Sequence, residues 1–135
     1  MVRQYLEIEQ VRCGDRLNIN IDLAPESVGC RIPPLILQPL VENAVRHGIQ
    51  SLVEGGELRI VARSSQGRLC LSVDNPFDPE SPSRRGARVG LANVKKRLRT
   101  LYGNDQSVVV DSTADTFHVE LEVPCVRVSE EKKDG

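Results

Sequence analysis

The chain has 135 residues, 39% apolar and 27% charged, with a formal net charge of −1. That length closes a single hydrophobic core, and the charge balance supplies no basic field for nucleic acid. Aromatic content of 3% without Trp excludes a base-stacking surface, and no apolar run nears the roughly 20 residues that span a bilayer.

In chain order, "YLEIEQVRCGDRL" opens on helical periodicity, with Tyr5 and Ile8 along one side. No capping residue precedes it and no signal-peptide apolar region is present, so the reading is a helix continuing from a segment upstream. "RLNINIDLA" alternates Leu17, Ile19, Ile21 and Leu23 with polar partners, a half-buried strand. "PESVGCRIPP" is a connector. "LQPLVENAVRHGI" then sets Leu37, Leu40, Val41, Ala44 and Val45 at core-facing helical spacing, with Gly48 as its stop. "ELRIVARSS" and "RLCLSVDN" read as a hairpin closed at "SQG". From Asn75 to about Arg88 the text carries Pro, Ser, Gly and charge without periodicity, predicting a long mobile loop. "VGLANVKKRLRTLYG" returns to helix, with Leu91, Val94, Leu98 and Leu101 inward and Gly103 closing it. "QSVVVDS" and "DTFHVELEVP" are the last strands before a solvated tail. The order predicts an α/β two-layer sandwich, a mixed sheet covered on one face by helices. The expected organisation is a linking helix over 1–14, one domain over 15–125 and a disordered tail over 126–135.

Cys13, Cys30, Cys70 and Cys125 are scattered, and the chain has two His. A zinc site is therefore not expected, a reduced cytosolic setting is the simplest reading, and Cys70 reads as a small core residue.

Three stretches could carry chemistry. On the polar side of "VENAVRHGI", Glu42, Asn43, Arg46 and His47 stand three or four apart and can face one cavity. An amide oxygen suits a hard divalent cation, a guanidinium suits phosphate, and a carboxylate can orient a proton-bearing group. The same residues also fit a solvent-facing Glu42–Arg46 pair, worth about 0.3–0.5 kcal/mol, beside a helix-ending His. Asp74 ends its strand beside the loop, placed either to accept from an exocyclic amine or to start a turn. Gly86 and Gly90 precede a helix start, where backbone N–H groups can meet an anion, and Asn93 lies one turn in.

Taken together, "YLEIEQVRCGDRL", "IPPLILQPLVENAVRHGI" and "GLANVKKRLRTLYG" resemble the ATP-binding domain of the GHKL superfamily, and within it the LytS-type sensor histidine kinases. The resemblance reaches nearly to Pro124 and implies the Bergerat fold. It implies Asn43 as the ligand of a magnesium ion bridging the ATP phosphates, and Glu42 as the carboxylate that helps activate the accepting histidine. Arg46 and His47 would line the phosphate or ribose, and Asp74 would receive the adenine amine. Gly86, Gly90, Leu91 and Asn93 would form a glycine box within a lid, with Thr116 near the adenine. The implied partners are ATP, an upstream dimerisation segment carrying the acceptor histidine, and a response regulator. The full-length protein would be a homodimer, and the domain cytoplasmic, alone or as part of a membrane-bound sensor.

The text departs from the family where Asp-x-Gly-x-Gly is expected: it reads "DNPFD", with Pro76 and Asp78 in the glycine places. Arg88 stands where the second box has its middle glycine, as in the branch resembling alginate- and fimbria-regulating kinases. Two expectations follow. Either Arg84, Arg85 or Arg88 replaces glycine amides by charge, or the domain is a regulatory module without ATP turnover. His118 reads as a sheet residue and His47 belongs to the cavity helix, so the acceptor histidine is expected elsewhere.

Overall fold

Alternation of apolar and polar residues over Leu17–Leu23 produces the first strand, β1. The computed structural model describes residues 7, 11, 14, 17–27, 29–31, 34–49, 52–80 and 84–127, and gives the backbone alone for 31, 34, 35, 84–87, 126 and 127. After β1 come β2 (Cys30–Arg31), α1 (Pro34–His47), β3 (Gly56–Ser65) and β4 (Arg68–Pro76). They are followed by α2 (Arg84–Tyr102), β5 (Ser107–Ser112), β6 (Thr116–Pro124) and β7 (Val126–Arg127). Apart from residues 7, 11 and 14, the expected N-terminal helix lies outside the described residues, as does the tail from 128 onward.

Five strands form a mixed sheet in the order β1-β3-β4-β6-β5. β1 runs parallel to β3, a pairing that requires a crossover, and α1 lies within it. The other neighbours pair antiparallel. The β3–β4 hairpin turns on Gln66 and Gly67, both at positive φ (54° and 75°), as a two-residue turn that follows the strand twist demands.

One face of the sheet is apolar. Leu58 and Ile60 of β3, Leu69, Leu71 and Val73 of β4, and Val119, Leu121 and Val123 of β6 are buried there. Both helices cover that face, through Ile36, Leu40, Val41 and Val45 of α1 and Leu91, Val94 and Leu98 of α2. Each such side chain taken fully out of water contributes about 1.5–3 kcal/mol. Pro34 starts α1, where its fixed φ and missing N–H cost least. Pro39 lies inside that helix and forgoes one backbone bond. Gly103, at φ 61°, ends α2 with its N–H donating to the Arg99 carbonyl at 2.8 Å, a left-handed helix stop.

The two-layer sandwich is as expected, with four local differences. β4 continues to Pro76 and α2 begins at Arg84, so helix replaces the last part of the expected 75–88 loop. Gly86 and Gly90 therefore sit within a helix rather than a lid loop. Val126–Arg127 pairs with Cys30–Arg31 as a small second sheet where a disordered tail was expected to begin. Cys30 and Cys125 form a disulfide beside it, their Cα atoms 5.1 Å apart, so the expectation of wholly reduced cysteines does not hold. Cys70 is free and half-buried on the face away from the helices, where burial and the Glu120 carboxylate push its thiol up.

Candidate functional site

Strand register sets the floor of a cleft. Asn75 of β4 lies opposite Phe117 of β6, which lies opposite Ser112 of β5. This row continues the apolar face past Val73, Val119 and Val110, at the end where α1 finishes and α2 starts. The cleft there holds about 350 Å³, within the range of small-molecule sites.

Each wall follows from a helical period. On α1, Asn43 and His47 are one turn apart and both line the cleft, with Gly48 after them. On α2 the lining residues are Arg88, Leu91, Ala92 and Lys95, the spacing of a single helix face. Phe77, just past β4, is buried and meets Phe117 edge to face, ring centroids 6.2 Å apart at 86°.

Two glycines let the walls close. A Cβ at Gly90 would lie 2.8 Å from Asn43 Oδ1, and one at Gly48 would lie 2.9 Å from Asn75 Cγ. Gly90 thus costs α2 about 1 kcal/mol of helix propensity relative to Ala and leaves room for a buried amide, Asn43 being 8% exposed.

His47 Nδ1 is buried and has no hydrogen-bond partner among the described residues. Burial, and secondarily the Arg46 guanidinium, hold its imidazole below the ordinary value. It is therefore neutral at neutral pH, in a residue that lines the cleft.

The structure gathers Asn43, His47, Arg88 and Leu91 of the expected residues, with Gly90 packed against Asn43. It leaves others outside the lining. Glu42 is half-buried and accepts from Gln38 Nε2 at 3.4 Å, and Arg46 is exposed. Successive residues on a helix stand about 100° apart, so the 42/46 pair faces away from the direction of 43/47. Asn93 and Thr116 are exposed and do not line the cleft, Thr116 being engaged with Asp115 and Thr113. Gly86 lies in the first turn of α2.

Asp74 is the largest correction. Its neighbours Val73 and Asn75 are buried on the helix side, so the strand's period of two turns Asp74 to the opposite face. There its carboxylate pairs with His118 Nδ1. Arg59, Asp74, His118 and Asp111 are cross-strand neighbours in one row, a ladder of opposite charges whenever His118 is protonated. His118 is thus a satisfied sheet residue, as expected. Sequence reasoning missed Asn75, Phe77, Phe117 and Lys95 in the lining; the alternation of β4 and the i, i+7 spacing of Arg88 and Lys95 carried the signal for Asn75 and Lys95.

No family model matches the chain. Individual relatives do. It is 33% identical over 124 residues to the sensor histidine kinase BtsS of Escherichia coli (strain K12), covering 91% of this chain and 22% of that protein. It is 38% identical over 111 residues to the sensor histidine kinase YpdA of the same strain, covering 76% and 20%. The sensor protein LytS of Staphylococcus saprophyticus is 31% identical over 143 residues, covering 97% and 24%. The chain thus spans under a quarter of the length of these curated relatives. Among solved structures, the nucleotide-free catalytic domain of the histidine kinase ThkA superposes with a TM-score of 0.66 at 15% identity, over 93% of this chain and 92% of that one. Full-length ShkA in complex with AMPPNP superposes with a TM-score of 0.61 at 21% identity, over 94% and 30%. These two show a shared fold.

Proposed function

This chain belongs to the LytS-type sensor histidine kinases as a catalytic ATP-binding domain, and we propose that the cleft between α1 and α2 binds magnesium-ATP and presents its γ-phosphoryl to a histidine on a dimerisation segment. The carrying observation is the lining itself: Phe77 and Phe117 from the strand side, with Asn43, Arg88 and Lys95 on the helical walls. A nucleobase fits the Phe77–Phe117 side, and a triphosphate fits the cationic side.

Asn43 Oδ1 is the oxygen offered to the ion, held in a recess that a Cβ at Gly90 would fill. Among the described residues no group of three or more His, Cys, Asp or Glu could hold a metal. That fits an ion bound mainly by phosphates and water with one protein oxygen, the usual habit of Mg²⁺. The ion, when bound, neutralises charge on the phosphates; Arg88 and Lys95 do the same from α2 and stand in for the amides of the missing glycine box. His47, neutral, offers a hydrogen bond to a phosphate or ribose oxygen. Glu42, beside Asn43 in sequence and outside the cleft lining, is the carboxylate available to an incoming acceptor histidine. Catalysis here is positioning and charge neutralisation. The acceptor segment and a response regulator are the partners this reading requires.

Thermal unfolding with and without magnesium-ATP tests it, since a ligand that binds only the folded state raises the melting temperature. Wild type is expected to shift upward, and an Arg88→Ala/Lys95→Ala double variant to shift less. Equal shifts, or none in wild type, would contradict the reading; the latter favours a regulatory module, for which Pro76 and Asp78 in the first glycine box are the supporting observation.

A further inference from the structure

Asp74 faces the wrong side of the sheet to meet a base in the cleft, and the residue after it does not. Asn75 is 5% exposed, lines the cleft and lies across from Phe117. A buried amide in a largely apolar floor needs partners. One of its N–H groups donates to the Pro76 carbonyl at 3.0 Å, and Oδ1 and the second N–H are the amide groups that a ligand in the cleft would meet. Gly48 keeps the end of α1 clear of it, since any side chain there would collide with the amide.

A donor and an acceptor side by side match the edge of an adenine, whose exocyclic amine donates and whose adjacent ring nitrogen accepts. A carboxylate offers acceptors only, so it would satisfy the amine and leave the ring nitrogen facing a lone pair. We infer that Asn75, and not Asp74, reads the base in this cleft, accepting from the exocyclic amine of an adenine and donating to the neighbouring ring nitrogen. The inference rests on the nucleotide reading above and specifies which residue confers the choice of base. Asp74 belongs to the charged row on the far face and acts on the site only through the strand it shares.

The test compares two probes, magnesium-ATP and the magnesium complex of purine riboside triphosphate, which lacks the exocyclic amine. Dissociation constants are measured for wild type, Asn75→Ala and Asp74→Asn, with melting curves to confirm folding. Wild type should prefer ATP by on the order of tenfold, the discrimination expected of a good amide–adenine contact. Asn75→Ala should bind the two probes alike, and Asp74→Asn should keep the preference. Wild type that binds both alike, a preference that survives Asn75→Ala, or one that vanishes in Asp74→Asn would each overturn the inference while leaving nucleotide binding in place. Should Asn75→Ala fail to fold, the wild-type and Asp74→Asn comparisons decide alone. No binding of either probe to folded wild type overturns the nucleotide reading and the inference with it.

Discussion

At the scale of single residues, the site depends on what is absent as much as on what is present. Gly90 has room for a hydrogen and no more, because Asn43 Oδ1 occupies the space a methyl would need. Gly90→Ala therefore sets a helix-propensity gain of about 1 kcal/mol against displacement of a buried amide. We predict that this variant keeps a melting temperature near that of wild type while its affinity for magnesium-ATP falls, read by titration; unchanged affinity would separate Asn43 from the ion. His47 makes a prediction in pH. Its folded-state pKa is depressed, so the unfolded chain binds more protons once the pH falls below the ordinary imidazole value of about 6.5. Stability from this residue is complete above that value and declines as pH drops from there to the folded pKa. His47→Gln should flatten this part of the stability profile, measured by denaturant unfolding at pH values on both sides of 6.5. Spacing allowed Asn43 and His47 to face one cavity, but allowed the same of Glu42 and Arg46, which do not line it. The sides taken by Asp74 and Asn75 were legible, since Leu69, Leu71 and Val73 set the inward phase of β4 and put Asn75 in it and Asp74 out of it; the motif resemblance pointed to Asp74 instead.

At the scale of elements, α2 is the informative case. Its apolar period begins at Leu91, and the Arg-rich text before it gives no core-facing signal, so the sequence marked Leu91, Val94 and Leu98 correctly, placed Leu101 inward although it is exposed near the end of the helix, and missed the turns from Arg84. Those turns carry Arg88, which becomes a helix-face residue aligned with Lys95 instead of part of a loose loop. Leu98 is fully buried at the centre of this packing. Leu98→Ala should cost about 2–5 kcal/mol, measured by denaturant unfolding. The short β2–β7 pair was also illegible, since two-residue strands have no periodicity to read. The Cys30–Cys125 bridge beside it joins residues 95 positions apart. Closing so long a loop restricts the unfolded chain, so reduction should lower stability by about 2–4 kcal/mol. A Cys30→Ser/Cys125→Ser variant should unfold at the same denaturant concentration with or without reductant, while wild type should not.

At the scale of the whole molecule, the architecture separates two faces of one sheet. The helix-covered face holds the core and, at one end, the cleft; the other carries the row of Arg59, Asp74, His118 and Asp111. The two-layer arrangement was legible because the strands alternate and both helices have strong apolar stripes. The family was legible because its motifs recur in order along the chain. What the sequence could not convey was convergence: which of several polar residues on one helix meet which residues from a strand end far along the chain. Among the described residues no helix is long and apolar enough to cross a membrane. The central claim is that this cleft binds ATP through magnesium despite its altered glycine boxes. Calorimetric titration of the chain with ATP, with and without Mg²⁺, beside Asn43→Ala, tests it most directly. Saturable binding that requires Mg²⁺ and weakens in Asn43→Ala is the predicted result; no heat from the folded chain at millimolar ATP would contradict it.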